Sequence, residues 1–108
     1  MILVEFVFHN INIKGFTVEG HALFSNYGED IVCASISTLT IGTINSIIRI
    51  CNKEVEIEKE DGLIKMYLPD TLETSVEAQT LLKSMLYNLQ DIEEQYPENV
   101  SIKKSTFS

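Results

Sequence analysis

The chain opens with two stretches of β-type pattern. Residues 2–8, ILVEFVF, are rich in β-formers, and residues 13–19, IKGFTVE, alternate as a half-buried strand does. His9 to Asn12 supplies the turn, so an antiparallel hairpin is expected. From Asp30 to about Ile50 the period changes to that of a helix. Asp30 is a good N-cap, and Ile36, Leu39, Ile44, Ile47, Ile48 and Ile50 cover more than half of the helical wheel. Ser35, Thr38, Gly42, Asn45, Ser46 and Arg49 share a narrower stripe in which only Arg49 is charged. Such a helix is expected at the centre of the fold, with a face on which a second subunit can pack.

Glu54 to Glu60 alternates strictly, placing Val55 and Ile57 on one side and four glutamates on the other. Asp61-Gly62 is a two-residue turn signal, and Leu63 to Leu68 returns with Ile64, Met66 and Leu68 inward. Pro69 stops that strand. Thr74 and Glu77 form a capping-box pattern opening a second helix, with Ala78, Leu81, Leu82, Met85, Leu86, Leu89 and Ile92 at helical spacing. Tyr96-Pro97 ends it. Residues 99–103 can form a short last strand, and the tail from Lys104 to Ser108 is expected to be loose. The order ββαββα, with two antiparallel β-hairpins, two main helices and a short final strand, defines an α+β domain.

A length of 108 residues, 44% of them hydrophobic, corresponds to one domain, residues 1–108, with a core that needs neither metal nor disulfide. Eight Lys and Arg against sixteen Asp and Glu give a net charge of −8. That surface repels phosphate backbones, which argues against direct nucleic-acid binding and for a basic protein as partner. On one continuous helix Cys33 and Cys51 lie about 27 Å apart at about 1.5 Å per residue. A disulfide requires Cα atoms within about 7 Å. A reducing, cytoplasmic setting is therefore expected, and no export signal opposes it. The uncharged run from Ile31 to Ile48 is long enough for a membrane span, but its Ser, Thr and Asn residues argue against one. Two separated cysteines and two histidines do not make a zinc site, and no cofactor is expected. His9, in a turn beside Asn10 and Asn12, is expected to be solvent-exposed.

The chemistry gathers in residues 20–37, GHALFSNYGEDIVCASIS. With Asp30 as cap, Cys33 falls in the first helical turn, where unpaired N–H groups and the positive helix end favour a thiolate. His21, twelve residues upstream, can fold back beside the sulfur as its general base, the minimum for cysteine-based acyl transfer. A buried cysteine at a helix start and a histidine closing a strand fit the same pattern. Ser37, one turn after Cys33, can orient the sulfur or a substrate, or simply bond back to the Cys33 carbonyl. Cys51, at the opposite helix end, is expected to be structural.

Over these residues the sequence resembles the bacterial ribosomal-processing cysteine protease family, also called Prp or YsxB-like. Gly20, His21 and Ala22 match the family's Gly-His-Ala triplet. Gly28, Asp30, Ile31, Val32, Cys33, Ala34 and Ser37 match its Gly-x-Asp-Ile-Val-Cys-Ala run and the serine after it. Between the two, Leu23, Phe24, Ser25 and Asn26 depart from the small and aromatic residues usual in the family. The resemblance implies a homodimeric cysteine endopeptidase that removes the N-terminal extension of large-subunit ribosomal protein number twenty-seven during ribosome assembly. His21 and Cys33 take the family's catalytic positions, and in the family the loop between them is a mobile segment that orders around substrate.

The implied mechanism has Cys33 attack the scissile carbonyl while N–H groups at the helix start hold the oxyanion and His21 protonates the leaving amine. Phe24 and Tyr27, with Gly28, would shape a substrate subsite. Asp30 either caps the helix or orients His21 as a third triad member. Two other classes fit the residues: a non-catalytic acidic assembly factor binding a basic ribosomal protein, and another thiol enzyme such as an acyltransferase or redox sensor.

Overall fold

A computed structural model describes residues 1–20 and 27–107, with only the backbone for residues 27–30. The elements follow the expected order: β1 (Ile2–His9), β2 (Asn12–Glu19), α1 (Tyr27–Cys51), β3 (Glu56–Glu60), β4 (Leu63–Tyr67), α2 (Val76–Gln95) and β5 (Val100–Thr106). A single 3-10 turn, Asp70–Leu72, precedes α2. The five strands form one sheet in the order β3-β4-β2-β1-β5. The hairpins β1–β2 and β3–β4 are antiparallel and join through β2–β4. β5 belongs to neither hairpin: it runs parallel to β1, Ile2 opposite Val100 through Phe8 opposite Thr106, so the sheet is mixed. A parallel neighbour needs a long crossover, and α2 is that crossover.

Both helices lie on one face of the sheet and share its core. Phe6 and Phe16, fully buried with ring centroids 5.9 Å apart, sit at the centre. Around them pack Val4, Val18, Ile64 and Met66 from the sheet, Ile36 and Ile47 from α1, and Leu82, Met85 and Leu89 from α2. By length and composition Ile31–Cys51 could cross a membrane. Its Val32, Ile36, Thr40, Ile44 and Ile47 are instead buried in this core. Among the described residues no helix covers the other sheet face, which carries Leu3, Glu5, Thr17, Glu19 and Lys65.

Several boundaries differ from the pattern-based expectation, each for a local reason. β3 is shorter than Glu54 to Glu60 and is exposed throughout, Ile57 included, because an outermost strand has a neighbour on one side only. Ile50, at the end of α1, projects beyond the core and is exposed. The cap of α2 is Ser75 rather than Thr74: its hydroxyl accepts from the Ala78 N–H at 3.2 Å. α1 ends on Asn52, whose positive φ of 54° is the left-handed conformation that closes a helix.

The tail is not loose. β5 continues to Thr106, and the Phe107 N–H donates to the Phe8 carbonyl at 2.7 Å. The Phe107 ring meets His9 edge-on and lies under the Lys14 ammonium at 5.5 Å. His9 is half exposed, as expected of a turn, yet its Nδ1 pairs with the Glu73 carboxylate. This network exists because β2 bulges. Val7 faces Gly15 and Phe8 faces Ile13, so Lys14 is the extra residue, and the bulge aims its side chain toward the turn before α2. Its Nζ lies 3.0 Å from Asp70 Oδ1 and 3.4 Å from Glu73 Oε2.

Burial of Lys14 disfavours its charge, but the bonds and attraction of Asp70 and Glu73 outweigh that and hold its pKa above 10.5. A raised lysine stabilises fully below its unfolded-state value and loses that contribution as pH rises through the folded-state value. The stability gap between the native chain and a Lys14→Met variant is therefore expected to narrow only above about pH 10.5, as urea unfolding across alkaline pH would show. A gap constant to the end of that range would mean that Lys14 acts by packing alone.

Candidate active site

Along the chain the candidate residues run from the end of β2 into α1. Gly20 ends β2 with φ of +91°, a conformation that favours glycine, and a Cβ there would stand 2.5 Å from the Met1 carbonyl oxygen. Its N–H donates to the Gly62 carbonyl at 2.8 Å, which ties the start of the connection to the β3–β4 turn. His21 and Phe24 fall in residues 21–26, outside the described residues, as does the expected ordering of that loop on substrate.

α1 begins at Tyr27, four residues earlier than an Asp30 cap would allow. Asp30 thus stands inside the helix by its backbone and is not its N-cap. The helix has run on through Tyr27 and Gly28, residues read from the sequence as loop. Nothing in a sequence pattern forbids this extension, since helix ends are the least determined boundaries and depend on what the first turn packs against. For Cys33 the consequence is a move from the first helical turn to the second. Among the described residues, the N–H groups without a helical acceptor now belong to residues 27–29, one turn before the sulfur-bearing residue. The field of the helix end, which falls off within a turn, acts on that stretch more than on Cys33.

Cys33 itself is half-buried and packs against the hydrophobic core, with Val32 and Ile36 buried to either side of it. Helical Cα–Cβ bonds tilt toward the N-terminus, which directs the Cys33 side chain back toward the 27–30 turn. Ser37, one turn later, is also half-buried. Cys33 and Cys51 are not joined, as expected for two residues near opposite ends of one long helix.

Cys51 is at the far end of the fold, its Sγ 3.9 Å from the hydroxyl of Ser75. The sequence placed it at the negative end of α1. Only the folded chain brings it against the cap of α2, a contact between residues 24 apart that no helix wheel contains.

A half-buried cysteine thus stands on the helix that follows the Gly20-His21 connection, in an α+β fold. Residues 1–101 match the family model described as cysteine protease Prp. The chain belongs to that family. It is 36% identical over 85 residues to the ribosomal processing cysteine protease Prp of Staphylococcus aureus, a match spanning 79% of this chain and 80% of the relative. With the protein of the same name from Bacillus subtilis it shares 31% over 98 residues, 87% of this chain and 88% of the other.

The fold agrees with solved structures at high similarity. The crystal structure of the S. aureus protease with a substrate peptide superposes with a TM-score of 0.87 at 34% identity, over 96% of this chain and 99% of that one. SMU.848 from Streptococcus mutans superposes with a TM-score of 0.92 at 29% identity, over 99% of both. A further S. aureus structure holds a covalently linked product peptide and gives 0.84 at 34% identity, with the same coverage as the substrate complex.

Proposed function

We infer that this cysteine protease removes the N-terminal extension of large-subunit ribosomal protein number twenty-seven, with Cys33 as nucleophile and His21 as general base and acid. The observation that carries the reading is a family match over nearly the whole chain, at a level where two relatives named for ribosomal processing exceed 30% identity. A product peptide covalently held by the S. aureus relative is the outcome expected of nucleophilic catalysis by a cysteine.

In the proposed reaction the Cys33 thiolate attacks the scissile carbonyl carbon and forms a tetrahedral oxyanion. The available donors for that oxyanion are the N–H groups of residues 27–29, because the Cys33 N–H lies far enough into the helix to bond within it. The C–N bond then breaks, and His21 gives its proton to the departing amine. Water, deprotonated by His21, attacks the thioester and restores the thiol. His21 also supplies the positive charge that keeps the sulfur ionised, a role that matters more for a second-turn cysteine than for one at the helix end. Phe24, Tyr27 and Gly28 would shape the substrate pocket and Ser37 would steady the sulfur. Asp30, released from capping, becomes the candidate to orient His21.

Incubation of the extended ribosomal protein with the reduced chain, read by intact mass, tests this directly. Loss of the N-terminal extension is the expected result; an unchanged mass with folded, reduced protein would favour the assembly-factor reading instead. Full activity in an Asp30→Asn variant would remove Asp30 from the triad.

The setting proposed is the cytoplasm, where ribosome assembly and reduced thiols coexist. A homodimer through α1 is part of the same reading. Only 28% of the window from Ile31 to Cys51 is buried, and Ile31, Ile41 and Ile50 stand exposed along α1. Gly42 has open space beside it, which would let a second helix approach closely.

A further inference from the structure

The sheet has two outer edges, and they are treated differently. At β5 the outward Ile102 N–H is taken by the Glu93 carboxylate at 2.7 Å, and the Val100 N–H by the Tyr96 carbonyl at 3.2 Å. The C-terminal end of α2 therefore blocks the first part of that edge. At β3 no strand or side chain among the described residues covers the outer side, and every residue from Glu56 to Glu60 is exposed. An uncovered edge offers main-chain donors and acceptors to any extended chain that lies beside it.

The side chains of β3 select among such chains. Register with β4 sets Glu56, Glu58 and Glu60 opposite Tyr67, Lys65 and Leu63, on the sheet face that carries no helix among the described residues. Ile57 and Lys59 pair with Met66 and Ile64 and so point to the helix-covered face, where Ile57 is 44% exposed. A strand added here would meet carboxylates on one face and Ile57 with Lys59 on the other. A second copy of β3 would bring glutamates against glutamates, which like-charge repulsion across strands disfavours. The complementary partner is a strand with basic residues at alternate positions and apolar residues between them.

The place of the edge matters as much as its charge. β3 ends in the Asp61-Gly62 turn, and the Gly62 carbonyl accepts from Gly20, the residue before His21. We propose that the outer edge of β3 is a docking strand for an extended basic segment of the protein being cut, added to the sheet by main-chain pairing outside the catalytic cleft. The proposal rests on the protease reading for the identity of that segment, and on the edge itself for its chemistry. Main-chain pairing supplies affinity without demanding one sequence, and the glutamate row sets the charge.

A fluorescein-labelled peptide of alternating lysine and valine, long enough to cover β3, is the probe. By anisotropy it is expected to bind the native chain at least tenfold more tightly than a Glu56→Lys/Glu60→Lys variant. N-methylation of alternate peptide bonds should weaken it comparably, and hydrogen exchange should slow at β3 amides on binding. Equal affinity for both chains, indifference to N-methylation, or slowed exchange confined to residues outside β3 would each overturn the docking edge. Peptide pairing at β3 in a chain that leaves the extended ribosomal protein uncut would instead remove the protease reading and leave the edge standing.

Discussion

A Cys33→Ala chain is expected to cleave the extended ribosomal protein at least about a thousandfold more slowly than the native chain, because loss of a nucleophile removes the covalent route altogether. Cys51→Ala should cleave at close to the native rate. The two thiols share one helix and similar half-burial, so the pair controls for general damage to α1. Their surroundings differ: Cys51 contacts the hydroxyl that caps α2, while Cys33 lies a turn after the helix start. Time courses by intact mass, with thermal unfolding to confirm that both variants fold, would read the difference. Comparable loss in both variants would mean that α1 packing is being measured. Retained cleavage by Cys33→Ala would end its assignment as nucleophile.

The second large effect is expected far from any chemistry. Gln79 is buried on α2, and its amide closes the gap that the β2 bulge opens. Its Oε1 accepts from the Ile13 N–H at 2.8 Å, and its Nε2 donates to the Ile13 carbonyl at 2.9 Å and to the Glu73 carbonyl at 3.0 Å. The side chain thus behaves like one peptide unit of a missing strand. Gln79→Leu keeps the approximate volume and leaves three backbone groups without that partner. Each orphaned buried group costs about 1–3 kcal/mol, so a total loss of about 3–5 kcal/mol is expected. For a domain of this size, that corresponds to a fall in Tm of more than about 10 °C, which calorimetry would measure. A change below about 1 kcal/mol would show that water replaces the amide at the bulge.

These two residues show how differently sequence exposes its information. The family could be read directly from the run around Cys33, because a local run of residue types at fixed spacing carries its pattern, and the family match over residues 1–101 agrees. Gln79 could not. On the helical wheel it is one more polar residue beside Ala78 and Leu82, and its burial depends on a bulge 66 residues earlier in the chain. The bulge itself left a trace that was open to a different reading. Gly15 stands where a Cβ would come within 2.1 Å of the Met66 carbonyl oxygen, but in the alternation of residues 13–19 it passes as an ordinary strand glycine.

What the sequence determined by itself is what local physics controls. Periods of 2 and 3.6 placed two hairpins and two helices, Asp61-Gly62 placed the second turn, and apolar spacing selected the core residues of α2, Ala78, Leu82, Met85, Leu86 and Leu89. What only the tertiary structure decided involves partners distant in the chain. The parallel pairing of β5 with β1 turned an apparently loose tail into a strand, because β1 offered an edge that the pattern of residues 104–107 cannot disclose. The start of α1 at Tyr27, the contact of Cys51 with the cap of α2 and the blocking of the first part of one sheet edge but not of the other follow the same rule. Helix ends, bulges and edges are settled by whichever group elsewhere in the fold satisfies the backbone left over.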